Sequence, residues 1–294
     1  MSRAFRLGFI ELGTQRLEPE LKYYTEVIGA KVTERAADGS VYLSLGLDHH
    51  NIALKTSEEA GLRCFGLQVT NDRPLEDWAT HLKDRGLTAS LKTDARPGVP
   101  KLLEMVEPGG HVLQLYSEMS QPAPGFGTQG IVPNKLGHIA IISPDAPKSV
   151  KFFEEMLGFV TTDRLDPGVT FLTCNRDHHV LNVVDAPLRK VHHIAFELRE
   201  RSQHHDAADL LSAHQIPIVW GPARHTAGHN LASYHFDPDR VLVEFYADMD
   251  ILVPELGCFE PRPWHETLPL RPQVWDRATL TTWGTKYDFD FRTA

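Results

Sequence analysis

Three residues in the second half of this chain, His138, His193 and Glu244, stand where the first half carries uncharged residues. The segment KLGHIAIISPDAPKSVKFFEEMLGFV around residue 138 parallels RLGFIELGTQRLEPELKYYTEVIGAKV around residue 9. His138 and Phe9 each lie 20 residues before the glycine of a helix end, Gly158 and Gly29. Matching VHHIAFEL to RCFGLQV sets His193 opposite Phe65, and matching LVEFY to VLQLY sets Glu244 opposite Gln114. Two imidazoles and one carboxylate are the facial set that holds a non-haem iron and leaves coordination positions open. A glutamate facing inward from the apolar run VLVEFY would cost several kcal/mol unless paired or bound to a cation, on the order of the penalty for a buried charge. The chain thus reads as an internal duplication with metal ligands in one copy.

Elements able to position these residues recur along the chain. Helices are expected over Leu17 to Ile28, Pro74 to Arg85 (with Asp72 as cap), Pro147 to Leu157 (with Asp145 as cap) and Gln203 to Ala213. Each is preceded by one apolar run, at 6–11, 63–69, 136–142 and 191–198, and followed by several shorter ones. The pattern is βαβββ four times. A single unit leaves a sheet face uncovered, so pairs of units are expected to close around a shared interior. The expected fold is α+β, with four βαβββ units forming two paired-module half-open barrels. Its parts are an N-terminal domain without metal over 1–117, a linker over 118–133 and a catalytic domain over 134–248. Residues 249–294, with Trp264, Trp275, Trp283, Tyr287 and Phe289, are too aromatic for a disordered tail and read as a strap on the second domain; its tryptophans read as packing anchors, with Trp283 either an anchor or a substrate contact. His138 and His193 fall mid-strand and Glu244 on a last strand, so the three can converge. His193 points inward on this reading and His192 alternates outward.

Composition excludes several classes. A formal net charge of −9 with no basic run argues against a nucleic-acid partner. No apolar stretch reaches the 18 or so residues of a membrane span. Cys64, Cys174 and Cys258 show no paired spacing, and the N-terminus enters a strand pattern without a signal-peptide region, so a cytoplasmic location is expected. With 16 histidines, a single one is weak evidence. His49-His50 and His204-His205 read as turn and helix-surface residues.

Three motifs add detail: CNRDHHVLNV (174–183), GPARHTAGHN (221–230) and SYHFDPDRVLVEFY (233–246). With the triad they resemble, in chain order, the type I extradiol (catechol meta-cleavage) dioxygenases of the vicinal oxygen chelate superfamily. The resemblance covers residues 5–248 and is strongest over 134–248. It implies the vicinal oxygen chelate (glyoxalase/bleomycin-resistance-like) fold and Fe(II) held by His138, His193 and Glu244, with Mn(II) suited to the same ligands. O2 is the implied co-substrate and a catechol-type molecule the implied substrate. The product would be a ring-opened 2-hydroxymuconic semialdehyde type, in aromatic catabolism. By the same resemblance His178, with Asn175 completing N-x-x-H, is the general acid, and His179 beside it is the second choice. His225 of the R-H pair and Tyr234 would hydrogen-bond the substrate oxygens. Family members are commonly tetramers or octamers, so a homo-oligomer is expected. His229 and His235 receive no role, and Asn230 is a candidate substrate contact that nothing in the spacing demands.

Three other functions compete. A 2-oxo-acid dioxygenase of the 4-hydroxyphenylpyruvate type uses the same ligands but has no need of the N-x-x-H and R-H motifs. A glyoxalase-like enzyme draws ligands from both members of a pair of units. A drug-sequestering module has no use for a complete triad.

Overall fold

The computed structural model describes residues 3–286; Tyr287 and Phe289 of the C-terminal segment lie outside them. The first half forms an eight-stranded sheet. Its strands are β1 (Ala4–Thr14), β2 (Lys31–Arg35), β3 (Val41–Ser44), β4 (Ile52–Thr56), β5 (Gly61–Val69), β6 (Ala89–Arg96), β7 (Val99–Val106) and β8 (Val112–Tyr116), in the order β2-β3-β4-β1-β5-β8-β7-β6. The second half repeats that order with β9 (Lys135–Ser143), β10 (Val160–Asp166), β11 (Val169–Thr173), β12 (Leu181–Asp185), β13 (Lys190–Glu197), β14 (Ile218–His225), β15 (Leu231–Phe236) and β16 (Leu242–Ala247). In each half an antiparallel pair, β1/β5 or β9/β13, sits at the centre and is flanked by parallel neighbours. The sheets curl into half-barrels, which is the expected α+β fold.

The helices follow from local signals. In α3 (Ala146–Leu157), Asp145 accepts from the Lys148 N–H, and Gly158 closes the C-terminus at φ 74°. Val150, Phe153 and Leu157 bury the helix in a core that also contains Ile139, Ile141 and Phe65, so one core joins the two halves. The segment expected as one helix over 17–28 is α1 (Leu17–Lys22) followed by a wider π turn over Tyr23–Ile28, closed by Gly29. The adjacent tyrosines there both reach the second sheet. Tyr23 Oη lies 2.7 Å from His235 Nε2, and Tyr24 donates to Asp237 Oδ2 at 3.2 Å. α2 (Leu75–Lys83) buries Trp78 and Leu82 but begins at Pro74 without the expected Asp72 cap. α4 spans Gln203–Ala213.

His49 and His50 lie in the turn between β3 and β4, as expected, and are buried there, with His50 packed on Tyr42 and Phe9. One histidine reading needs correction: His204, expected on the helix surface, is buried against Ser233 Oγ and the Leu231 carbonyl, whereas His205 beside it is exposed. The segment after β16 contributes a small pair, β17 (Leu252–Val253) with β18 (Cys258–Phe259). It then adds β19 (Val274–Asp276) to one edge of the second sheet beside β10, and β20 (Thr281–Trp283) to the other edge beside β14. Residues 276–280 therefore cross the mouth of the half-barrel. No helix among the described residues is long and apolar enough to cross a membrane.

Candidate active site

The register of the central strands brings the three expected ligands together. His138 on β9 pairs with Ala195 on β13, and Ala195 pairs with Glu244 on β16. His193 lies two residues before Ala195, so it shares a face with it. His138 Nε2 is 3.1 Å from His193 Nε2, and each is 3.2 Å from Glu244 Oε2. All three are buried. One carboxylate oxygen facing two imidazole nitrogens at these spacings suits a shared cation, because atoms bound at about 2.1 Å and roughly at right angles lie about 3 Å apart. Burial and the neighbouring His192 and His138 hold the His193 imidazole well below its usual range, in the neutral form a metal requires. Burial pushes the Glu244 carboxyl up, but the His138 imidazole leads a set of neighbours that brings it below its usual value.

Above this cluster is a cavity of about 640 Å³. One wall is apolar, with Leu165, Val169, Phe171 and Val184 from β10 to β12. The opposite wall carries His193, Glu244, His225, Asn230 and Tyr234, and Leu280 and Arg277 of the strap line the mouth. His225 stacks on Trp220 with centroids 4.8 Å apart, and its Nε2 is 3.1 Å from Tyr234 Oη. Tyr234 donates to Glu244 Oε2 at 2.7 Å. Burial lowers the His225 pKa, so that ring too rests neutral.

His178, expected as the general acid, does not line this cavity. Its Nε2 lies 3.1 Å from Asp163 Oδ2, its ring packs on Phe259, and its N–H donates to the Asp250 carbonyl, so it ties the β11–β12 loop to the strap. His179 lines the cavity instead, with its ring 4.3 Å from that of His138. The two adjacent rings stand at 89° to each other. Asn175 makes the turn before them, its Oδ1 accepting from the Asp177 N–H. Burial, followed by the His138 imidazole, pushes the His179 pKa well below its usual value. His192 was expected to face away. A register shift between Val191 and His193 lets it line both this cavity and the groove between the sheets.

The first half holds an equivalent place without a metal set. Phe9 pairs with Gly66 and Gly66 with Gln114, matching His138, Ala195 and Glu244. The counterpart of His193 is therefore Cys64, one residue from the expected Phe65. An arginine fills the space. Arg96 is 5% exposed, lies over the Phe9 ring at 4.4 Å, and donates to Gln114 Oε1 at 3.0 Å, to Glu11 and to Cys64 Sγ. A guanidinium thus occupies one half where the other presents a metal set.

Residues 135–245 match the family model described as Glyoxalase/Bleomycin resistance protein/Dioxygenase superfamily. The second half of the chain belongs to this superfamily. Outside that domain the similarity extends over most of the chain. It is 26% identical to a metapyrocatechase of Geobacillus stearothermophilus, covering 92% of this chain and 89% of the relative. It is 27% identical to a biphenyl-2,3-diol 1,2-dioxygenase of Paraburkholderia xenovorans strain LB400, covering 81% and 86%. The 2,3-dioxygenase LapB from Pseudomonas sp. KL28 superposes with a TM-score of 0.83 at 25% identity, over 94% of this chain and 99% of that one. The triad lies in the superfamily domain, and the cavity above it is lined by that domain and by the strap that crosses it.

Proposed function

We propose that this protein is an extradiol dioxygenase that opens catechol-type rings with both atoms of O2, giving a 2-hydroxymuconic-semialdehyde-type product. The observation that carries the reading is the convergence of His138 Nε2, His193 Nε2 and Glu244 Oε2 beneath a cavity with one apolar wall and one wall of proton-handling side chains. These three residues would hold Fe(II); Mn(II) suits the same donors. Such an ion would supply Lewis-acid and redox chemistry between a catechol and O2. The catalytic domain is then 134–248, the domain without metal 1–117, the linker 118–133 and the strap 249–294. A homo-oligomer is the assembly expected.

The protein's own residues have separable tasks in this reading. Leu165, Val169, Phe171 and Val184 exclude water and hold the ring edge, which removes much of the entropic barrier. Tyr234 and His225, 3.1 Å apart, hydrogen-bond the substrate oxygens, and the His225 imidazole takes up a proton as the catechol binds. His179, against His138, replaces His178 as the residue that accepts a proton from the catechol and returns it during ring opening.

Oxygen uptake by anaerobically Fe(II)-reconstituted protein tests the reading, with catechol, 3-methylcatechol, 2,3-dihydroxybiphenyl and homoprotocatechuate as substrates. Uptake with a new yellow chromophore is expected from at least one of them. Protein holding one metal per chain and consuming no O2 with any catechol overturns it.

A further inference from the structure

We infer that Asn230 is a positioning residue that occupies one oxygen of Glu244, so that the carboxylate meets the metal through the other oxygen alone. The inference rests on the reading of His138, His193 and Glu244 as the ligands. Asn230 Nδ2 donates to Glu244 Oε1 at 2.8 Å. The other oxygen, Oε2, is the one that faces His138, His193 and Tyr234. The two carboxylate oxygens therefore have separate sets of partners.

The orientation of the amide is fixed. An ionised carboxylate only accepts, so the group facing it must be the NH2; turning the amide over would press two acceptors together. Asn230 Oδ1 is buried with no partner, so no other contact competes for the direction of the amide. The backbone is held as well. The Asn230 carbonyl accepts from the His225 N–H at 3.0 Å. On its other side, His229 Nδ1 bonds Asp250 Oδ2 at 2.7 Å, and His265 Nε2 bonds Asp250 Oδ1 at 2.8 Å. This second cluster of His229, Asp250 and His265 uses separate carboxylate oxygens at hydrogen-bond distance, unlike the single shared oxygen of the first. It acts as a clamp that holds the loop bearing Asn230 to the strap.

Denticity matters for the reaction class. A six-coordinate ion on three single-atom ligands keeps three positions, enough for a chelating diol and a co-substrate. A carboxylate binding through both oxygens would take one of them. Asn230 keeps that position free.

The crystal structure of the Mn(II)-loaded protein and the Mn(II) affinity of Asn230→Ala test this together. The wild type should bind the ion through Glu244 Oε2 alone, with Oε1 on Asn230. Asn230→Ala should weaken Mn(II) binding about 10- to 100-fold, the usual effect of removing a partner of a ligand. It should also let Glu244 chelate through both oxygens and raise KM for O2 more than KM for the catechol. A wild-type site with both Glu244 oxygens on the ion overturns the inference, and so does an Asn230→Ala protein of unchanged affinity and geometry. If the variant does not fold, the wild-type structure decides alone. Single-oxygen binding in a protein that opens no catechol sinks the proposed function and leaves this inference standing. Ring opening with a chelating Glu244 does the reverse.

Discussion

Tyr234 donates its hydroxyl proton to Glu244 Oε2 at 2.7 Å, the same oxygen that lies 3.2 Å from both His138 Nε2 and His193 Nε2. The phenol is therefore placed against the ligand atom itself. Its other neighbour is His225 Nε2 at 3.1 Å, so the hydroxyl can exchange partners when an ion takes Oε2. Tyr234→Phe should keep one metal per chain. Its kcat/KM should fall about 10- to 100-fold, the size of one hydrogen bond to a charged group. Metal analysis beside steady-state kinetics checks this; loss of metal would make Tyr234 part of the binding set.

His178 and His179 are adjacent yet have different surroundings. His179→Ala should retain metal and lower kcat about 10²- to 10⁴-fold, the range for a positioned general acid. His178→Ala should chiefly lower the Tm, since it loses its contacts to Asp163 and Phe259. Turnover and melting curves on the two variants separate the roles. A catalytic collapse in His178→Ala with a normal Tm would restore the original assignment.

That pair marks the limit of what the sequence reveals. The triad was legible because a glutamate inside VLVEFY has no other plausible reason to be there, and because its partners lie mid-strand in matching units. Which of two neighbouring histidines faces the cavity depends on the turn Asn175 makes, and no periodicity reports it. The same one-residue problem placed Phe65 where Cys64 stands. β1 and β5 pair with register shifts at Leu7/Phe9 and Glu11/Leu12, and β9 and β13 shift at the same two places, Ala195/Phe196 and Val191/His193, so the halves superpose bulge for bulge with Cys64 at the place of His193. Apolar runs align by eye across such bulges, but a slip of one residue exchanges faces. The bond from Asn230 to Glu244, and the contacts of Asp250 and His265, were missed because loops and straps carry no repeat. Arg96 was missed because its partners, Glu11 and Gln114, come from distant strands.

Arg96 should matter for folding and not for chemistry. Its guanidinium is buried on Glu11 and Gln114, so Arg96→Met leaves Gln114 without this donor and Glu11 with Arg63 as its remaining cation. A loss of about 1.5–3 kcal/mol is expected, as for hydrogen bonds to a charged group. Denaturant unfolding measures it. Metal content and kcat per bound metal should match the wild type; a selective fall in kcat would tie the first half to catalysis.

Stability should decline as pH rises, through a carboxyl cluster where the two halves meet. Burial, then Asp237 and Asp239, pushes the Glu20 carboxyl from 4.5 up to about 9, and burial pushes Asp237 up to about 7. A carboxyl with a raised folded pKa contributes stability that is complete below its unfolded value. That contribution is lost as pH climbs through the folded one. Glu20→Gln, neutral at every pH, should melt progressively higher than the wild type between about pH 5 and 9. Paired melting curves across that range check it. A difference that does not grow with pH would mean Glu20 is already ionised in the folded protein.

The central claim is that this cavity opens a catechol beside its diol with both atoms of one O2. Mass spectrometry of the product formed under isotopically heavy dioxygen, by Fe(II)-loaded protein, tests it most directly. The account predicts a yellow ring-opened semialdehyde carrying both heavy oxygen atoms. A product carrying one or none, or a colourless diacid cut between the two hydroxyl-bearing carbons, would contradict it.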